Sequence, residues 1–182
     1  IFVLIDKSNT TSSIIEICKK NNIEYNAEFQ LNSDFATFKN HLLELVTDSK
    51  YIFQLDADEI PSPDLIKDLP GILEYNTDVE LIAVPRKNIV NGITDEYIKE
   101  HKWKLINNKY INPPDYQSRI IKRIYPRIKW VNKVHEKITG NKTFTAFHTH
   151  LQDRPEQWDY FINHEKTFEK QIKQNNLYKT LI

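Results

Sequence analysis

Three carboxylates, Asp56, Asp58 and Glu59, follow directly on the apolar run Tyr51-Ile-Phe-Gln-Leu55 and precede the chain breaks at Pro61 and Pro63. Alternate residues of an extended segment point the same way, so Asp56 and Asp58 can converge on one site. Carboxylates gathered in one place repel one another and gain from a cation between them. Hard oxygen ligands select Mg2+ or Mn2+, ions that usually bridge to the phosphates of a substrate. The plainer alternative is a solvated acidic turn capping the next helix. An apolar strand before the cluster and a Pro-marked turn after it favour the cation site.

A second group lies in Trp130-Val-Asn-Lys-Val-His135-Glu136-Lys-Ile138, which alternates like a strand and carries a His–Glu pair. Near a metal-bound diphosphate, a carboxylate such as Glu136 can act as general base on an acceptor hydroxyl. A histidine is a borderline ligand for Mn2+. His148 and His150 stand at i and i+2 and share a side if extended. Taken singly, each histidine reads more readily as a satisfied structural residue than as a ligand, and spacing does not decide the matter. Asp6 can cap a helix; Trp103, Tyr110 and Tyr116 could stack on an acceptor sugar, but packing is the better reading. Arg119 and Arg123 suit either a phosphate or a solvated face, and Trp130 reads as core.

The elements that must position these groups alternate. Ile1–Ile5 reads as a buried strand and Ser12–Asn21 as a helix with Ile14, Ile15, Ile17 and Cys18 inward. Glu24–Phe29 follows as a strand, Phe35–Val46 as a helix capped by Asp34, and Tyr51–Leu55 as a strand. Strand–helix–strand–helix–strand implies a parallel sheet with right-handed crossovers. Asp64–Tyr75 predicts a helix that Pro70-Gly71 can split, and Glu80–Pro85 a further strand. From Lys87 to Pro114 the pattern dissolves. Short strands are expected at Arg119–Ile124, around Trp130 and at Thr143–Phe147. From Pro155 the spacing of Trp158, Phe161, Ile162, Phe168 and Ile172 predicts one amphipathic helix.

Composition narrows the class. The chain has 182 residues, enough for one domain with a sizeable core. Lys+Arg and Asp+Glu both number 25, and a zero formal charge argues against nucleic acid as partner. A single cysteine, Cys18, excludes an internal disulfide and a Cys-based zinc cluster. No apolar run approaches the length of a membrane helix, and Ile1–Ile5 lacks the basic lead and cleavage site of a signal peptide. The expected location is the cytoplasm, with membrane association through the acceptor as an alternative.

With these residues in order, the chain resembles the family 2 glycosyltransferases of GT-A type, in particular the bacterial lipopolysaccharide-core sugar transferase branch. Leu55-Asp-Ala-Asp-Glu59 resembles the Asp-x-Asp-Glu metal motif of that branch. Ile1–Asp6 with Ser8 and Thr10 resembles the strand and loop that meet the nucleotide base, and Phe38-Lys39-Asn40 the aromatic-Arg-Asn segment. Arg119-Ile-Ile-Lys-Arg123 followed by Trp130 to Glu136 is similar to the Arg-rich strand and Val-His-Glu box. His150-Leu-Gln-Asp-Arg154 is similar to the start of the last helix. The ordered set spans about residues 1 to 170.

The resemblance implies a mixed, mainly parallel GT-A sheet flanked by helices, as one domain over 1–182. Residues 1–85 would form the nucleotide and metal half, 86–154 the acceptor side and 155–182 a C-terminal helix. It implies transfer of a sugar from a nucleotide donor, commonly UDP-linked, to a glycan or other hydroxyl acceptor, with inversion. Mn2+ or Mg2+ would be held by Asp56, Asp58 and His150, with His148 as a further ligand; His135 and Glu59 are lesser candidates. Asp6, Ser8, Lys39, Asp56 and Arg119 would bind the donor, and Glu136 would be the base.

The chain also departs from the pattern. Lys39 replaces Arg, Thr10 or Thr11 replaces the second Asp of the base-binding loop, and the usual first strand with its Pro-x-x-Asn-Glu loop is absent. The chain is therefore expected to be part of a longer product or a trimmed transferase. Two rivals stand beside the transferase: a degenerate nucleotide-sugar or carbohydrate-binding module, and an Asp-x-Asp phosphohydrolase. The phosphohydrolase would need a later Gly-Asp-x-x-x-Asp pair, which this sequence lacks.

Overall fold

The computed structural model describes residues 1–144, 151 and 153–181. In chain order its strands begin with β1 (Phe2–Leu4), β2 (Glu24–Asn26), β3 (Tyr51–Phe53), β4 (Glu59–Pro61) and β5 (Leu81–Asn91). They continue with β6 (Leu105–Ile106), β7 (Tyr110–Ile111), β8 (Asp115–Lys122), β9 (Trp130–Val131), β10 (Lys137–Ile138), β11 (Lys142–Phe144) and β12 (Ile162–Thr167). The helices are α1 (Ser12–Lys20), α2 (Phe35–Leu45), α3 (Pro63–Tyr75), α4 (Asp95–Glu100) and α5 (Phe168–Leu181). The chain divides into two compact units, one built from 1–50 and 123–140 with the end of the chain, the other from 51–122 and 141–180.

In the first unit β1 and β2 pair in parallel across α1, with Phe2 opposite Glu24. Of the four α1 residues expected inward, Cys18 is buried, whereas Ile14 and Ile17 are exposed. Asp34 caps α2 by accepting from Thr37 N, as its residue type predicts. The β9–β10 hairpin is antiparallel, and Asn40 of α2 fastens it at both polar groups of the Trp130 backbone, at 2.9 and 2.8 Å.

The second unit is organised by β5, eleven residues long and buried over most of its length. The sheet runs β3-β8-β5-β12-β4, with β11 on β5 and β7 joining β6 to β5. β3 and β8, β8 and β5, β5 and β7, β7 and β6, and β12 and β4 all pair antiparallel; among the described residues only β12 and β11 run parallel to β5. The architecture is thus mixed α/β, and the expectation of a mainly parallel sheet is corrected. The strand–helix alternation of the first 55 residues predicts parallel pairing, which β1 and β2 obey. β3 instead takes β8, the next apolar strand but several along the chain, as an antiparallel neighbour.

Three local expectations are also corrected. Residues 162–167 are a strand rather than part of a helix: Ile162 and His164 are buried at i and i+2, and the segment fills the slot between β5 and β4. α3 passes through Pro70 unbroken, started by Ser62 at its N-cap and Pro63 in its first turn. The 87–114 stretch is ordered, because β5 continues to Asn91 with Arg86, Lys87 and Asn88 inside it; those polar residues conceal the strand from an apolar-run reading.

The core of this unit joins Leu65 of α3 to Ile82, Val84, Ile120 and Ile162 of the sheet. Leu65 has no solvent exposure. Leu65→Ala should lower stability by about 2–5 kcal/mol, measured as the urea midpoint shift, because a cavity at a fully enclosed site cannot be filled by water or by collapse.

Candidate functional site

At the carboxyl end of β3 the chain turns so that Glu59 N bonds Asp56 O at 3.0 Å while Asp56 N donates to Glu59 Oε2 at 3.1 Å. This closed turn sits against Arg119 of β8, because β3 and β8 are register neighbours (Phe53 opposite Ile120). Arg119 Nη2 donates to Asp56 Oδ2 at 2.6 Å and to Glu59 Oε1 at 2.7 Å. Glu59 is fully enclosed and also receives Arg86 Nη1 at 2.9 Å. Burial of that carboxylate is tolerated only because two guanidinium groups and a backbone N–H satisfy it.

The network extends across β5. Arg86 and Asp115 are opposite in the β5–β8 register, and Arg86 Nε donates to Asp115 Oδ2 at 2.9 Å. Asn88 Nδ2 at 2.8 Å and Gln117 Nε2 at 2.7 Å donate to the same carboxylate. His164 lies opposite both Asn88 and Glu59 in the register of β12, and its Nδ1 meets Asn88 Oδ1 at 2.8 Å. Its Nε2 faces Asp58 Oδ2 at 3.3 Å. The result is one chain of polar contacts from Asp56 through Arg119, Glu59, Arg86, Asp115, Asn88 and His164 to Asp58. The acidic cluster therefore divides by role. Glu59 is internal scaffold, Asp56 is held by Arg119, and Asp58 keeps half of its side chain open to solvent.

The His164 hydrogen bond, against some burial, holds the Asp58 carboxyl down at about 2. Burial works against the charge of Asp115, but Arg86 and the hydrogen bonds from Asn88, Arg86 and Gln117 outweigh it and keep its carboxyl below the ordinary range. A carboxyl depressed in the folded state adds stability that is present above its unfolded pKa of about 3.9 and is lost as pH falls through the lower folded value. Urea unfolding between pH 6 and pH 3 should therefore show a fall in stability that is shallower in Asp115→Asn. An identical acid limb in the variant would remove Asp115 from this account.

The expected residues of the first unit are placed as follows. Asp6 organises its own loop: Oδ1 accepts from Leu31 N at 3.0 Å and from Ser8 N at 3.2 Å, and Oδ2 from Ser8 Oγ and Asn9 Nδ2, both at 2.6 Å. Burial opposes its ionisation, yet these bonds leave its carboxyl lowered. Lys39 Nζ donates to Glu136 Oε1 at 2.6 Å and lies 4.7 Å from the centre of the Trp130 ring. The pair is well shielded, so the candidate base and the candidate donor-binding lysine hold each other. Residues 132–136 form the loop of the β9–β10 hairpin rather than a strand, with Asn132 and His135 at φ 73° and 50°. His148 and His150 lie outside the described residues.

Arg86, Asn88, Asp115 and His164 are the site residues that motif reading misses. A period-two signal in Ile162-Asn-His164 and a polar tail on an apolar strand in Arg86-Lys-Asn88 are the only traces they leave. Among the aromatic candidates, Tyr110 is buried in β7 and Trp103 packs edge-on to Tyr97 at 5.6 Å.

Among the described residues, no three His, Cys, Asp or Glu side chains converge to cage an ion unaided. Asp58 nonetheless suits Mg2+ or Mn2+, which take one or two carboxylates and complete their shell from water and substrate phosphates. No helix among the described residues is long and apolar enough to cross a membrane. No protein-family model matches the chain, and no curated protein is found to resemble it.

Proposed function

We propose that this chain is a metal-dependent glycosyltransferase that uses a nucleotide-sugar donor, UDP-linked by preference, and a carbohydrate-type hydroxyl acceptor. The observation that carries this reading is the division of labour at the end of β3. Arg119 and the enclosed Glu59 lock the Asp56–Glu59 turn, so that Asp58 is presented to solvent as an ionised oxygen ligand with a fixed direction. The order of the surrounding motifs, Asp6 to Arg154, supports the same reading.

In this reading Asp58 and Asp56 would hold Mn2+ or Mg2+, whose positive charge would suit a departing diphosphate. Arg119 sets the direction of Asp56 rather than meeting the donor itself. Asp6 shapes the Ser8–Thr10 loop for the nucleotide. Glu136, oriented by Lys39, is the candidate that takes the acceptor proton, which would give inversion by single displacement.

The test is release of nucleoside diphosphate from a panel of nucleotide sugars, with Mn2+, Mg2+ or EDTA. Metal-dependent release from at least one donor is expected. Binding of donors without turnover would instead make this a binding module, and hydrolysis of phosphomonoesters in preference to nucleotide sugars would make it a phosphohydrolase.

A further inference from the structure

Residues 123–140 carry Arg123, Arg127, Lys129, Lys133 and Lys137 against a single acid, Glu136, in a chain whose formal charge is zero. The fold sorts these charges by side. In the β9–β10 register Lys137 lies opposite Val131 and Ile138 opposite Trp130. The pairing continues one step further, where the Lys129 carbonyl accepts from Thr139 N at 2.9 Å. Side chains alternate across a strand, so Trp130 and Ile138 share one face and Lys129, Val131, Lys137 and Thr139 the other. Trp130 is buried against α2, where Asn40 holds its backbone and Lys39 lies over its ring. The lysine face is therefore the outer one, and Arg127, Lys129, Lys133 and Lys137 are all exposed.

The acids around the hairpin are engaged elsewhere. Glu136 is drawn to Lys39 Nζ at 2.6 Å, and only 16% of its side chain is exposed. Asp34 caps α2 by accepting from Thr37 N, and Glu44 accepts from the Tyr125 hydroxyl at 2.6 Å. Among the described residues no acid or carbonyl pairs with the ammonium groups of Lys129, Lys133 and Lys137. Anchoring of the Trp130 backbone by Asn40 fixes the hairpin beneath these cations, so little order is lost when they meet a partner.

The character of the face selects the partner. Between the lysines sit the partly exposed Val131 and Thr139, not the aromatic anchors on which protein partners and single-stranded nucleic acids rely. A surface that is negative everywhere needs no such anchor, only cations gathered on one side. We propose that the outer face of the β9–β10 hairpin docks on an anionic membrane surface, with lipid phosphates meeting Arg127, Lys129, Lys133 and Lys137. Docking of this kind is independent of the transferase reading and needs no acceptor.

The experiment is co-sedimentation of the full chain with vesicles of phosphatidylcholine alone, or of equal parts phosphatidylcholine and phosphatidylglycerol. Binding to the mixed vesicles only is expected. It should disappear as salt rises from about 0.1 M to about 1 M, where the screening length shrinks from about 10 Å to about 3 Å. Lys129→Gln and Lys137→Gln should each weaken binding about fivefold, and the two together about 25-fold. Lys19→Gln with Lys20→Gln, which removes the same charge from the exposed end of α1, should change binding less than about twofold. These side chains are all exposed, so an unchanged Tm certifies the fold of each variant. Absence of binding to the mixed vesicles, equal binding to phosphatidylcholine alone, or an equal loss in the α1 variant would overturn the assignment. Binding of a polyuridine oligonucleotide without binding of vesicles, lost in the hairpin variants, would overturn it in favour of a nucleic-acid face.

Discussion

Asp58→Ala is expected to abolish metal-dependent release of the nucleoside diphosphate while the fold persists. Two features of the site lead to that separation. Asp58 is half open, and among the described residues its side chain meets the network at His164, with Lys166 as a more distant charge, so its removal breaks no pair in which both partners are enclosed. Its depressed carboxyl adds some stability at neutral pH, but losing a pairing with one half-open partner costs less than breaking an enclosed ion pair. Charge stabilisation by a bound ion, in contrast, is worth several kcal/mol at the transition state, and each 1.36 kcal/mol is about tenfold in rate. A fall of about 10³-fold in kcat/KM at saturating Mn2+, with a cooperative urea transition retained at a modestly lower midpoint, is the expected pair of results. Asp58→Asn should be nearly as inactive, because an amide keeps the volume but not the charge. If either variant released diphosphate at close to the wild-type rate, Asp58 would not hold the ion.

The same site shows how far residue order carries a functional reading. The Asp56–Glu59 cluster is legible because local chemistry is enough: an apolar strand, alternate carboxylates and a proline-marked turn all lie within eleven residues, Tyr51 to Pro61. What Glu59 does is not legible. Nothing within the motif distinguishes a solvent-facing carboxylate from one enclosed by Arg86 and Arg119, which come from strands 27 and 60 residues away. His164 is hidden for a second reason. In Trp158 to Ile172 apolar residues fall at helical spacing, and the strand wins there only because β5 and β4 each offer an edge to pair with. The order of β1, α1 and β2 implies a parallel sheet, but strand partners are chosen by long-range burial, and β8 supplies the antiparallel partner that β3 takes. In the first unit the Val-His-Glu box alternates on paper, yet Asn132 and His135 adopt left-handed backbone and turn it into a hairpin loop.

Arg119→Met should be the most destabilising single change in the network. The Arg119 side chain is 4% exposed and bridges a fully enclosed Glu59 to Asp56. Methionine fills much of the same space without charge, so the variant tests the charge and not the volume. It leaves Glu59 with Arg86 and the Asp56 N–H, but with one fewer cation in a site that water does not reach. Removing one partner of a buried pair typically costs about 3–5 kcal/mol. For a chain of this length that corresponds to a Tm lower by about 6–20 °C. Double substitution with Glu59→Gln should cost less than the sum of the two single changes, because the second change removes the charge that the first leaves unbalanced. Activity measured below the lowered Tm separates the local role from the global one. There, Arg119→Met should raise the Mn2+ requirement, since Asp56 is no longer held toward Asp58's side of the turn. A cost below 1 kcal/mol with strict additivity would mean that the turn is fixed by its own backbone bonds, and that Arg119 is free for a ligand after all.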